Sequence, residues 1–168
     1  MIKSFTDKIL EIDRSFSARL QLPKQGSLRL IAMILAHTGD SLTWATIAVV
    51  LWYRGERFLP GIIAIAVLII GAAVFAIKVT VRRRRPTKER SIATMTLDEH
   101  SFPSGHAARS IGLALVLGTL YPYLLPYLLV WAFLVGIARI ALGVHYLSDV
   151  IVGWGLGGLI GALLMRVI

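Results

Sequence analysis

Near the N-terminus apolar residues return every third or fourth position, and further along they merge into long uncharged runs. Ile2, Phe5, Ile9, Ile12, Phe16 and Leu20 are separated by charges at helical spacing, which predicts an amphipathic helix over 2–22, lying on a membrane surface. Pro23 and Gly26 end it. Two short apolar runs follow, 30–39 and 41–53, parted by the turn-forming pair Gly39-Asp40. They predict two short helices with Arg29, Arg54 and Arg57 at their ends, in preference to one long helix broken at Gly39. The next span covers about 58–81, and its 20 uncharged residues from Phe58 to Ile77 reach about 30 Å, the thickness of a hydrocarbon core. Pro103 opens a fourth span, to about Leu120. Between Ser110 and Ala138 there are 29 residues without a charge, too many for one perpendicular span, and Pro122 and Pro126 divide them. A fifth span then lies near 124–142 and a sixth near 146–165. In the sixth, Gly153, Gly157 and Gly161 recur every fourth residue, a smooth stripe suited to close helix packing.

The expected architecture is an all-α integral membrane protein of one domain, 1–168. It has an amphipathic interfacial helix over 1–25 and a six-transmembrane helix bundle over 27–167. Six spans would put the end of the third, the start of the fourth and the junction of the fifth and sixth on one face. Those are the three places where polar residues concentrate.

Composition agrees: 57% of residues are hydrophobic and the mean hydropathy is +0.75, too apolar for an ordinary soluble chain of 168 residues. The net charge of +9 would suggest nucleic acid in a soluble protein; at a bilayer, anionic lipid head groups are the simpler partner, and no nucleic acid is expected. With no cysteine there are no disulfides or thiolate metal sites. The charged first 25 residues lack an apolar h-region, so no removable signal peptide is expected.

Charges and imidazoles at membrane depth need a partner or a task. Lys78 and Arg85 are seven apart, two helical turns, so both can face one anion, although taken alone a basic anchor at a span end is the more ordinary reading. Pro103-Ser104-Gly105-His106 precedes an apolar helix. Pro103 suits the first helical position, the amides after it can cradle an anion, Gly105 permits close approach and Ser104 adds a hydroxyl. A plain helix cap beside an interfacial histidine is the other reading. His145 and Asp149 are four apart, which on a helix sets a carboxylate beside an imidazole and leaves the other ring nitrogen free to attack. Arg139 offers a planar fork to phosphate oxygens, or an ion pair to Asp149.

Together Lys-x6-Arg-Pro, Pro-Ser-Gly-His and Arg-x5-His-x3-Asp resemble the type 2 phosphatidic acid phosphatase family, grouped with acid phosphatases and vanadium haloperoxidases. The likeness covers 78–149 directly. The family usually carries serine where this chain has Ala138, which removes one hydroxyl. The resemblance implies a metal-independent phosphatase without a cofactor. His145 would form a phosphohistidine, oriented by Asp149, and His106 would protonate the leaving oxygen and then activate water. Lys78, Arg85, Ser104, Gly105 and Arg139 would hold the phosphate. The sequence also lacks the clustered carboxylates that a divalent-ion phosphatase would use.

The implied substrate is a membrane lipid phosphate: lipid A 1-phosphate, which is favoured, undecaprenyl pyrophosphate or phosphatidylglycerol phosphate. Surplus charge at Arg82, Arg83, Arg84, Lys88 and Arg90 suggests contact with a second anionic group on the lipid. The resemblance places the protein in a bacterial inner membrane, multi-pass, with the site on the periplasmic face and both termini inside. Basic residues from Arg82 to Arg90 oppose that orientation. Lys3, Lys8, Arg14, Arg19, Lys24, Arg29, Arg54, Arg57 and Arg166, assigned to the other face, outweigh them. A lipid phosphotransferase using the same site, and a non-catalytic transporter or scramblase, are the rival functions.

Overall fold

The computed structural model describes residues 2–86 and 100–167, with backbone alone at 2–7 and 9. Lys88 and Arg90 lie outside the described residues. The described chain is helical: α1 Ile2–Arg19, α2 Ser27–His37, α3 Ser41–Tyr53, α4 Phe58–Val81, α5 Gly105–Leu120, α6 Leu125–Ala141 and α7 Leu147–Leu164. A 3-10 turn, Pro122–Leu124, breaks the long apolar run where the prolines predict it.

Three segments are long and apolar enough to cross a bilayer on their own: α4, the stretch Pro122–Ala141, and α7. Helices α2 and α3 qualify only as a pair, bent by 54°. Their contacts give the pair one direction. Leu22 donates its amide to the carbonyl of Ala141 at 2.8 Å, Ala32 and Ala36 pack on Ala138 and Leu142, Thr38 meets Trp131, and Ala48 reaches Leu117. The chain thus descends steadily from the end of α6 toward its start. Two helices part at Gly39-Asp40, as the sequence predicts, and each is too short to cross a bilayer alone. A Cβ at Gly39 would sit 2.8 Å from Val135 Cγ1, so the break is wedged against α6.

Among the described residues α5, 16 residues long, is too short to count as a span on its own. Helix α1 docks on the end that carries the three polar motifs, through Asp13 to Ser148 and Ser17 to the Leu147 amide. Asp13 and Ser17 thus set the second half of α1 against the motif end of the bundle.

The glycine stripe packs α7 along α5. A Cβ at Gly157 would stand 1.9 Å from the Ala108 carbonyl oxygen, one at Gly153 2.6 Å from that of Ser104, and one at Gly161 3.0 Å from that of Gly112. The two backbones run in parallel from the same end. That contact fixes the helix start bearing His106 relative to the one bearing Asp149.

Candidate active site

Each motif sits where a helix begins or ends at that end of the bundle. Helix α4 stops at Arg82, whose φ of 50° is left-handed. Residues after it pair back onto the second motif: Arg84 and His100 form an antiparallel bridge, and Ser101 donates to the Arg83 carbonyl at 2.8 Å. Lys78 is buried, with Nζ donating to the His100 carbonyl at 3.0 Å.

The second motif departs from expectation at its first residue. The Phe102-Pro103 peptide is cis and α5 starts at Gly105, so Pro103 is not the first helical residue. Ser104 is the N-cap: it is fully buried, and its Oγ accepts from the Ala107 amide at 3.5 Å, as the plain-cap reading has it. Its own amide donates to the Asp149 carbonyl at 2.9 Å, tying α5 to α7. A Cβ on Gly105 would make only ordinary contacts, with Val74 and Arg109.

His145 lies in the connection between α6 and α7, 1% exposed, and neither ring nitrogen has a hydrogen-bond partner among the described residues. Burial first, then the charges of Arg139, Arg85, Lys78 and nearby His106, hold its pKa well below the usual imidazole value. Three cations from two of the motifs thus act on the one imidazole and disfavour its proton. Arg85 also donates to the Val144 carbonyl at 3.2 Å, next to it.

Asp149 is beside His145 but not bonded to it: Oδ2 is 3.6 Å from Nδ1 and accepts instead from the Tyr146 amide at 2.9 Å. Its counter-cation is Arg83, at 2.7 Å, where the sequence offered Arg139. Arg83 also binds Ser148 at 2.6 Å and Asp13 of α1 at 2.7 Å, and stacks over the Tyr146 ring at 4.1 Å. So Arg83 is occupied in holding the site together, and Arg82, donating to Val79 O, is exposed.

Three residues escaped the sequence reading. Asp13 looked like one more charge on an amphipathic helix. Asp40 looked like a turn former, yet its Oδ1 lies 2.5 Å from His106 Nε2 and its Oδ2 2.7 Å from His37 Nδ1. Arg109 follows His106 by three positions on α5, is almost fully buried, and donates to the Gly105 carbonyl at 3.0 Å and to Ser41 Oγ. An arginine inside an apolar helix was the available signal. Among the described residues no three His, Asp or Glu side chains gather as metal ligands would.

The family model described as PAP2 superfamily matches residues 59–168. This chain belongs to the PAP2 superfamily. A decaprenylphosphoryl-5-phosphoribose phosphatase of Mycobacterium tuberculosis is 39% identical to this PAP2 chain over 104 residues, 57% of this chain and 58% of that protein. This PAP2 chain thus spans under three fifths of the length of that relative. A lipid A 4'-phosphatase of Bacteroides thetaiotaomicron is 42% identical over 59 residues, 34% of this chain and 26% of that one. Among solved structures, the PAP2-type phosphatidylglycerolphosphate phosphatase of Bacillus subtilis superposes with a TM-score of 0.75 at 24% identity, covering 95% of this chain and 85% of its own. Aquifex aeolicus LpxE gives 0.70 at 23% identity, covering 94% of each chain. These last two likenesses show the membrane-phosphatase fold.

Proposed function

We propose that this PAP2 protein hydrolyses a phosphomonoester on a membrane lipid through a phosphohistidine on His145. The observation that carries the reading is the His145 ring, 1% exposed and with neither nitrogen hydrogen-bonded among the described residues, where burial and the charges of Arg139, Arg85 and Lys78 disfavour a proton. A neutral imidazole keeps its lone pair for phosphorus, and the surrounding cations favour charge on the transferred oxygens. With Nε2–H held by Asp40, the doubly protonated ring of His106 gives its second ring proton to the leaving oxygen, and the neutral ring left behind takes a proton from the attacking water. Asp149 orients the loop of His145 through the Tyr146 amide and sits within reach of Nδ1. Ser104 and Gly105 set the start of α5, whose free amides complete the phosphate cradle.

Both curated relatives are named for a phosphate on a sugar borne by a lipid, and that class is the substrate we favour over undecaprenyl pyrophosphate. With α1 on the site's end, the basic residues Lys8, Arg14, Arg19, Lys24 and Arg82 to Arg85 stand against Arg54, Arg57 and Arg166 at the other. The positive-inside bias then turns the site toward the cytoplasm, the reverse of the orientation implied by family resemblance.

Purified protein given lipid phosphates, with and without chelator, tests the chemistry. Expected are free phosphate, an acid-labile and base-stable labelled enzyme intermediate, and loss of both in His145→Ala. Label passing to a second lipid without free phosphate would mean a phosphotransferase.

A further inference from the structure

A cavity of about 410 Å³ lies where α3 runs into the turn 54–57 and α4 leaves it. Gly61 lines it and Lys78 belongs to the active site; on α4 they are 17 residues apart, from 61 to 78, or about 25 Å along the axis. The cavity therefore shares no wall with the catalytic end. It is a groove with apolar sides, Ala48 and Trp52 of α3 facing Gly61 and Ala64 of α4. Small residues make the room: a Cβ at Gly61 would meet nothing within 4 Å. The volume falls in the range of roughly 300–1,000 Å³ over which pockets take small ligands. Trp52 and Tyr53, both exposed, belong to the aromatic class that marks the level where hydrocarbon gives way to head groups.

The mouth of the groove is basic. Arg57 folds back over the end of α3: its Nη1 donates to the Trp52 carbonyl at 2.6 Å, and its guanidinium carbon stands 4.2 Å from the centre of the Trp52 ring. That carbonyl already accepts from the Gly55 amide at 3.1 Å, so capping α3 does not require the arginine. What the second bond does is fix a cation over the ring that lines the groove. Arg54 is exposed on the same turn, and the two cations outnumber Glu56. An apolar groove between two helices of a membrane bundle, under a fixed cation, matches an amphiphile with a negative head. A second copy of the chain matches it less well, because twofold pairing through this groove would set Arg54 and Arg57 against themselves.

We infer that the groove binds an anionic phospholipid of the leaflet opposite the catalytic end, with an acyl chain between α3 and α4 and its phosphate on Arg57 and Arg54. This lipid is a bound ligand and takes no part in the hydrolytic reaction.

Phosphatidylglycerol and phosphatidylcholine, titrated into the protein in neutral detergent micelles and followed by thermal unfolding, test this. Phosphatidylglycerol at ten times its dissociation constant should raise Tm by about 3–6 °C, and phosphatidylcholine should do clearly less. Gly61→Leu fills the groove from a position with open space around it, and leucine suits a helix better than glycine, so the lipid-free Tm should not fall. The same variant should lose the response to phosphatidylglycerol. Arg57→Gln should weaken the apparent affinity for that lipid by about 10-fold, the worth of one charge-assisted contact. Either variant decides alone if the other does not fold. No rise with phosphatidylglycerol, a rise that survives Gly61→Leu, or an affinity unchanged in Arg57→Gln overturns the site. Equal responses to the two lipids overturn the anionic head group. A wild type that sediments as a dimer and is dissociated by Gly61→Leu gives the groove to a second copy, and the lipid site falls.

Discussion

Asp40 Oδ1 lies 2.5 Å from His106 Nε2, across 66 residues of sequence. The carboxylate sits at the break between α2 and α3, and His37 backs it at 2.7 Å, so the break aims the side chain that fixes the ring of His106. A histidine held in one tautomer by a carboxylate presents a defined second nitrogen to a substrate.

Asp40→Asn should therefore lower kcat by about 10- to 100-fold with KM changed far less, since proton transfer by a positioned group is worth that order. Asp40→Glu should recover part of the loss. Steady-state kinetics on a lipid phosphate checks both, and a change confined to KM would assign Asp40 to substrate binding instead.

His145 gives a pH dependence of stability. Its proton is disfavoured in the folded protein, whereas the unfolded chain takes one up near 6.5, so the stability present above that value is lost as pH falls below it. Thermal unfolding in detergent should show a steeper fall in Tm from pH 7 to pH 5 for the wild type than for His145→Gln. Parallel curves would refute the neutral-imidazole assignment.

Arg83 offers a test of structure against substrate contact. Arg83→Ala leaves the fully buried Asp149 without its cation, and breaking a buried pair from one side costs about 3–5 kcal/mol. Asp13→Ala, which leaves Arg83 on Asp149 and Ser148, should cost clearly less. Chemical or thermal unfolding of the two variants gives the comparison. A fully stable Arg83→Ala protein with weakened activity on polyanionic lipids would return Arg83 to the role suggested by charge density.

Close approach of α5 and α7 should make Gly157→Ala severely destabilising, because the new methyl would meet the Ala108 carbonyl at 1.9 Å. Gly155→Ala and Gly158→Ala, where nothing lies within 4 Å, are matched controls and should leave Tm within a few degrees of the parent. Equal effects at all three positions would mean that the helices are not packed through the stripe.

Much of this protein was legible in its sequence because the governing physics is local. Helix α4 follows from an uncharged run as long as a bilayer is thick, the 3-10 turn from Pro122 and Pro126, and the α5–α7 contact from glycines every fourth residue. The motif spacings likewise singled out His145 and the four groups that act on its ring, Lys78, Arg85, His106 and Arg139. What only the tertiary structure decided depends on partners distant in the chain. Gly39-Asp40 spells a turn in either arrangement, and only the wedge of Val135 and the pull of His106 make it a break within one span. Asp149 stands four residues from His145 at helical spacing, but its strongest partner, Arg83, arrives from α4's end, 66 residues away. A pattern along the chain fixes which residues share a helix face; which charge meets which is set by the order in which helices pass and pack.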